Sequence, residues 1–177
     1  MKNKLLLTLL IVLSLFSVTG CGKKEETNEK DTAVKAGNKS YTCVTEGEMS
    51  DGGKTITKLI VVLDKDNYIV ENQIINEHSF KSKEMYDASK ATTENNIKTN
   101  NESTSKTKCK WTLKTDDKTL HYVSTRIYDM SGVRDSQGKT YDEIYNHFNE
   151  DGTYNIEDWM AYQEKPLSGG YKCSQDK

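Results

Sequence analysis

The chain has 177 residues, with 25 Lys or Arg against 27 Asp or Glu, so its formal charge at pH 7 is −2. Its length suits one domain of ordinary size. No basic stripe could release counterions from a phosphate backbone, which argues against a nucleic-acid partner. Apart from Arg126 and Arg134, the positive charge is carried by lysine.

The first 20 residues have the pattern of a bacterial export signal. Lys2 and Lys4 form a short positive region, and residues 5–18 are apolar or small. A membrane-spanning helix needs ~20 apolar residues, whereas this shorter stretch suits the central region of a secretory signal peptide. We therefore predict a signal peptide over residues 1–20. An uncleaved anchor helix and an ordinary signal with a chance cysteine are the alternatives.

The end of this leader resembles the bacterial lipobox. Val18-Thr19-Gly20-Cys21 places a branched apolar residue and two small residues before a cysteine. In lipoproteins with this motif, a diacylglycerol is attached to the cysteine thiol and the leader is cut just before it. The resemblance implies that Cys21 is lipidated and holds the protein on the extracytoplasmic face of the cell membrane. Two or three acyl chains would hold it firmly, because each buried CH₂ contributes ~0.8 kcal/mol.

A polar segment follows the lipobox. Gly22 to Lys39 is rich in charge and nearly free of large apolar residues. Such a segment cannot bury enough surface to offset the entropy that ordering costs. We predict that residues 21–39 are the lipidated cysteine and a flexible tether, and that residues 40–177 form an α+β extracytoplasmic domain.

The first half of this domain reads as a three-stranded meander followed by a helix. Alternating apolar residues and turn signals such as Asp-Gly-Gly predict three strands, which are Ser40–Glu48, Thr55–Leu63 and Tyr68–Ile75. A helix is predicted over residues 79–96, although its periodicity fades after Ala91. The polar, low-complexity residues 95–108 predict a mobile loop.

The second half reads as a hairpin, two short helices and a final edge strand. The hairpin is predicted over residues 109–115 and 119–128. Thr140 and Glu143 form a capping box before a helix over residues 141–148, which Gly152 ends, and Asn155 can cap another helix that Pro166 ends. The fold class is therefore α+β: an antiparallel sheet of about five or six strands with two or three short helices packed on one face.

Three cysteines would remain after lipidation of Cys21. Cys109 alternates with Trp111 and Leu113, which favours a buried free thiol. Cys173 lies near the chain end, so we predict a Cys43 to Cys173 disulfide that joins the first strand to the last. A Cys43 to Cys109 pairing is the alternative. The spacing offers no zinc motif, and we expect no metal site or cofactor.

The order of these features resembles small uncharacterised lipoproteins of low-GC Gram-positive bacteria. The resemblance is carried by the lipobox, the polar tether, "YTC" in the first strand, "CKWTLKTDDKTLHYV" and the terminal "GGYKC". In these proteins the first and last cysteines bracket the domain, which favours the Cys43 to Cys173 pairing. The resemblance implies no particular activity.

Few residues suggest chemistry. The three histidines lack metal-binding spacing, and His147, one turn from Glu143, is the best candidate among them. Residues 147–158 resemble an EF-hand loop, but His147 and Asp158 are poor occupants of its first and last positions. Aromatic residues could form a sugar-stacking platform or the core, and we favour the core for Tyr122, Tyr128, Tyr141, Tyr145, Tyr154, Trp159 and Tyr162.

Together these patterns predict a membrane-anchored lipoprotein with a non-catalytic binding domain. Its partner would be a protein or a glycan of the cell envelope. One alternative is an envelope hydrolase that uses carboxylates such as Glu143 and Asp158. Another is a small solute-binding lipoprotein, although a ligand cleft of that class usually needs a larger chain.

Overall fold

The computed structural model describes residues 37–101, 108–131 and 147–176. The predicted leader, Cys21 and most of the tether lie outside these ranges. The described residues form a six-stranded antiparallel sheet and two α-helices, which confirms the α+β class and the predicted strands. In chain order the elements are β1 (Lys39–Glu48), β2 (Lys54–Leu63), β3 (Ile69–Ser79), α1 (Lys83–Asn101), β4 (Lys108–Asp116), β5 (His121–Asp129), α2 (Ile156–Glu164) and β6 (Lys172–Gln175).

The strands lie in the order β4-β5-β3-β2-β1-β6. The first three strands form the predicted meander, and β4 and β5 form the predicted hairpin. β5 also pairs with β3, and β6 pairs with the outer side of β1. The predicted terminal edge strand is therefore confirmed, and β3 and β2 are the middle pair of the sheet.

Asp51 joins the β1–β2 turn to the start of α1. Its carboxylate accepts hydrogen bonds from the backbone N–H of Gly53 at 2.8 Å, Lys81 at 2.8 Å and Ser82 at 2.9 Å. The Ser82 N–H bond is the main cause that lowers the Asp51 pKa. Asp51 therefore stabilises the β1–β2 turn and also positions the start of α1.

Helix α1 is displaced from the predicted range of residues 79–96, because it begins at Lys83 and ends at Asn101. The predicted loop over residues 95–108 is therefore wrong for residues 95–101 and for Lys108, which begins β4, and residues 102–107 lie outside the described ranges. Ile97, in the second half of the helix, packs against the main core. This partly buried side chain anchors the second half of a helix whose apolar periodicity fades, because tertiary packing supplies most helix stability.

The first half of α1 is held to the β4–β5 turn through Asp117. The Tyr86 hydroxyl donates a hydrogen bond to this carboxylate, and Lys90 Nζ lies 2.8 Å from it. The Lys90 bond is the main cause that lowers the Asp117 pKa, and the Tyr86 bond adds to it. Tyr86 is only 1% exposed and packs with Phe80 and Tyr122, so this end of α1 closes a second, smaller aromatic core.

The main core lies between the sheet and the helices. It contains Tyr41, Cys43, Val61, Leu63, Ile69, Cys109, Trp111, Tyr128, Met130, Tyr154 and Trp159. Helix α2 contributes Trp159 to it. The predicted Asn155 cap is confirmed, since its side chain accepts from the Asp158 N–H. A 3₁₀ turn at Pro166–Ser168 ends this region.

The predicted disulfide between the first and last strands is confirmed. Cys43 and Cys173 are directly opposite each other on β1 and β6, and their sulfurs are bonded. Cys109 is buried as predicted, at 6% exposure. Alternation along the strand indicated this burial correctly, whereas the redox state predicted for its thiol stays a prediction.

The helix predicted between Thr140 and Phe148 lies mostly outside the described residues, and Glu143 with it. At its predicted end the structure differs from the sequence pattern, because His147 and Phe148 are not helical. Phe148 instead forms an isolated antiparallel bridge with Tyr154, and Gly152 makes the intervening turn with φ 83°. Glycine is favoured there because the left-handed conformation costs it little.

Candidate ligand-binding cleft

The strand register assigns each side chain of the sheet to one of two faces. Both helices pack on the face that carries Cys43, Trp111 and Tyr122, which we call the helix-covered face. The opposite, helix-free face has no helix on it among the described residues. It carries several β-branched aliphatic side chains interspersed with charges, which is the usual pattern of a solvated antiparallel sheet.

Charge is distributed unequally between these faces. Every Asp and Glu of the six described strands lies on the helix-free face; these residues are Glu46, Glu48, Glu71, Glu77, Asp116 and Asp129. On the helix-covered face the charged strand residues are Lys39, at the sheet end, and Arg126, in the middle of β5. A cation inside this face therefore has no strand carboxylate beside it.

The two helices cover opposite edges of their face. Helix α1 packs on β4 and β5, whereas α2 packs on β6. A helix is ~10 Å wide and strands are ~4.8 Å apart, so one helix covers about two strands. Within the described ranges, neither helix packs extensively on the middle strands β3 and β2.

We call the part of the helix-covered face that lies between the two helices the interhelical cleft. Its floor is formed by Thr57, Leu59, Ile74 and Asn76, all half-buried, and β5 adds buried Ser124 and half-buried Arg126 beside them. Thr57 Oγ1 donates to Asn76 Oδ1 at 3.0 Å. The floor thus combines two aliphatic side chains with hydroxyl and amide groups, a mixture typical of small-ligand sites.

Arg126 is the charged residue of this cleft. Its guanidinium carbon lies 3.8 Å from the centre of the Trp111 ring, which is a close cation–π stack. Arg126 Nε is buried, and it has no hydrogen-bond partner among the described residues. Among the described residues, the indole Nε1 of Trp111 and the amide oxygen of Asn72 are also buried without a hydrogen bond.

Unpaired polar atoms of this kind are uncommon in protein interiors, because desolvation without a hydrogen bond costs ~1–3 kcal/mol each. Trp111 and Asn72 are 8% and 5% exposed. Asn72 lies diagonally from Arg126 across β3 and β5, and Trp111 lies directly opposite Arg126 on β4. Three polar atoms without a hydrogen bond are therefore buried near one another on this face of the sheet.

The histidine that the sequence favoured lies elsewhere. His147 is buried next to α2, where its Nδ1 is 2.7 Å from Asp158 Oδ2 and its ring packs on Tyr154 and Tyr162. Asp158, proposed as one hydrolase carboxylate, thus binds this imidazole, and its proposed partner Glu143 lies outside the described residues. The structure does not bring the two carboxylates of the hydrolase hypothesis together.

The EF-hand-like segment forms a tight turn. Asp151 Oδ1 accepts from the backbone and hydroxyl of Thr153 at 2.9 and 2.6 Å, and Asn149 donates to the same hydroxyl. Those oxygens are used within the turn itself. Throughout the described residues, no group of three or more His, Cys, Asp or Glu side chains is placed to hold a metal ion.

The aromatic residues serve mainly as core. Tyr122, Tyr128, Tyr154 and Trp159 are at most 7% exposed. Tyr162 is 47% exposed, and Tyr141 and Tyr145 lie outside the described residues. The buried members therefore do not form a stacking platform for sugars.

His78 lies at the far end of the helix-covered face. Its ring lies 4.8 Å from that of Tyr122 and 6.1 Å from that of Phe80. Burial there lowers the His78 pKa to about 4, and the nearby His121 contributes to the same shift. His78 is therefore a neutral member of the smaller core at neutral pH.

No family model, curated protein or solved structure matches the chain. Among the described helices, none combines the length and the hydropathy that a membrane span needs.

Proposed function

We propose that the protein is a membrane-anchored extracytoplasmic lipoprotein whose domain binds a component of the cell envelope in the interhelical cleft and performs no catalysis. The lipid on Cys21 would hold the chain at the membrane, and residues 22–39 would set the distance between the membrane and the domain. The partners are thus the membrane, through Cys21, and an envelope glycan or an envelope protein segment narrow enough to enter the cleft.

The observation that carries this proposal is the polar strip of β3 and β2 on which, among the described residues, neither α1 nor α2 packs extensively. Thr57, Asn76 and Ser124 form a polar row across three adjacent strands on a face that is otherwise core. A face that served only to pack helices would fill these positions with aliphatic side chains. Hydroxyl and amide groups beside Leu59 and Ile74 suit a ligand that has both polar and apolar surfaces.

Binding at this cleft can be tested with two neighbouring residues of β3 that point to opposite faces. Asn76→Trp fills the cleft floor, whereas Ile75→Trp adds the same side chain to the helix-free face. The full-length protein, purified in detergent, is incubated with soluble cell-wall fragments, and the retained material is identified by mass spectrometry. We expect the wild type and Ile75→Trp to retain the same species. Asn76→Trp should bind them at least about 10-fold more weakly, the equivalent of ~1.4 kcal/mol.

Thermal unfolding of both variants controls for loss of fold. If the wild type retains nothing from soluble wall fragments or a total envelope extract, the binding function is wrong. If Ile75→Trp abolishes retention and Asn76→Trp does not, the protein binds a ligand through the helix-free face. That result would contradict the proposal that the cleft is the binding site.

A further inference from the structure

We infer that Arg126 is an anion-recognition residue, and that the ligand of the interhelical cleft carries a carboxylate or a phosphate group. This inference rests on the proposed binding function and adds the chemical class of the ligand. It starts from three features of one side chain: its charge, its stack on Trp111 and its position on a face without strand carboxylates.

Arg126 lacks the counter-ion that a half-buried arginine usually has. The described residues provide it with no ion pair and no hydrogen bond, and its Nε is buried. An arginine removed from water is ordinarily compensated by a carboxylate, because partial burial of a charge costs free energy. The six carboxylates of the described strands are all on the opposite face, which leaves the position beside Arg126 open to an anion from outside.

The contact with Trp111 restricts the guanidinium, whose carbon lies 3.8 Å from the ring centre. A planar guanidinium presents its remaining N–H groups in a fixed fork, which matches the paired oxygens of a carboxylate or a phosphate. The pre-ordered side chain loses little further entropy when the anion binds. Lysine carries nearly all other positive charge in this chain, but it cannot provide this planar fork.

Neighbouring groups extend the site. Ser124 and Asn76 lie one row further along the cleft floor. The guanidinium of Arg126 suits oxygen acceptors, while hydroxyl and amide groups suit a polyol or a sugar ring. The expected ligand is therefore an acidic sugar or a polyol phosphate.

Two pairs of probes separate these sources of negative charge. N-acetylmuramic acid differs from N-acetylglucosamine by a carboxylate-bearing lactyl group, and glycerol 3-phosphate differs from glycerol by a phosphate. Each is titrated into the full-length protein in detergent, with tryptophan fluorescence as the readout because Trp111 lies against Arg126. We expect saturation by at least one acidic probe at millimolar concentration or below, and no saturation by its neutral counterpart.

Variants of Arg126 then test the role of this side chain. Arg126→Gln should lower the affinity for the acidic probe at least about 10-fold. Arg126→Lys should retain an intermediate affinity, because it keeps the charge without the planar fork of N–H groups. Lys110→Gln, a change of charge on the helix-free face of β4, is the matched control and should bind like the wild type. Nuclear magnetic resonance shifts of the Trp111 indole N–H provide a second readout, since Arg126 substitutions alter the fluorescence baseline.

Equal binding of the neutral and acidic probes, or unchanged binding by Arg126→Gln, would overturn the role of Arg126. If neither acidic probe saturates up to about 50 mM, the inference also fails. These failures differ from failure of the proposed function, in which wall fragments are not retained at all. Retention that depends on Asn76 but not on Arg126 would leave a neutral-ligand cleft and remove the anion site.

Discussion

Replacement of both cysteines of the β1–β6 disulfide, Cys43→Ala with Cys173→Ala, should lower the free energy of unfolding by about 4–5 kcal/mol. The two residues are 130 positions apart, and a cross-link that closes a loop of this length strongly restricts the unfolded chain. Single domains are stable by only about 5–15 kcal/mol, so the variant should be close to unfolding at 37 °C. Urea unfolding followed by tryptophan fluorescence measures the change.

The matching control is the wild-type protein in excess reductant, which should approach the stability of the double variant. The bond also joins β6 to the sheet, and β6 is the element on which α2 packs. Loss of the bond should therefore first release α2 and the short edge strand. A change of less than about 1 kcal/mol would contradict a stabilising role for the disulfide.

Acidification from pH 6.5 to pH 4 should destabilise the domain by up to about 3 kcal/mol through His78 alone. In the unfolded chain this imidazole takes up a proton near pH 6.5, whereas in the folded domain burial lowers its pKa to about 4. Between these values the unfolded state binds more protons, so stability is full above pH 6.5 and falls as the pH decreases. Urea midpoints at pH 7.5, 6.0 and 4.5 measure the slope.

His78→Gln removes the titrating group and should flatten this slope. His121→Gln is the matched control: it removes an imidazole that is paired with Glu77 on the helix-free face, and it should leave most of the slope in place. An unchanged pH dependence in His78→Gln would show that the slope comes from other groups.

The sequence predicted the strands well because alternation and turn residues are local signals. β1 begins one residue before its predicted start, and the turns at Asp51 and Asp64 follow their side-chain hydrogen bonds to nearby N–H groups. The disulfide was also predictable, because Cys43 and Cys173 lie in the first and last strands. The end of α1 was not, since its continuation to Asn101 depends on Ile97 reaching a core formed by distant strands.

The interhelical cleft could not be predicted from local sequence patterns. Alternation along a strand predicts which face Arg126 or Trp111 occupies within its own strand. Only the pairing of β5 with both β3 and β4 brings the two residues close to each other and to Asn72. One signal was available: Arg126 is one of two arginines in a chain that otherwise uses lysine. His147 does not lie in a helix as the sequence predicted, because the residues that follow it form a bridge and a turn.

The most direct test of a membrane-anchored binding domain is intact-mass and N-terminal peptide analysis of the full-length protein extracted from membranes of a lipoprotein-processing bacterium. We predict a mature chain that begins at Cys21 and carries a thioether-linked diacylglycerol, with Cys21→Ser abolishing the lipid and membrane retention. Cys109→Ser, which keeps the lipobox intact, is the control and should be processed normally. A wild-type chain that is unacylated, or is cleaved at another position, would contradict the account.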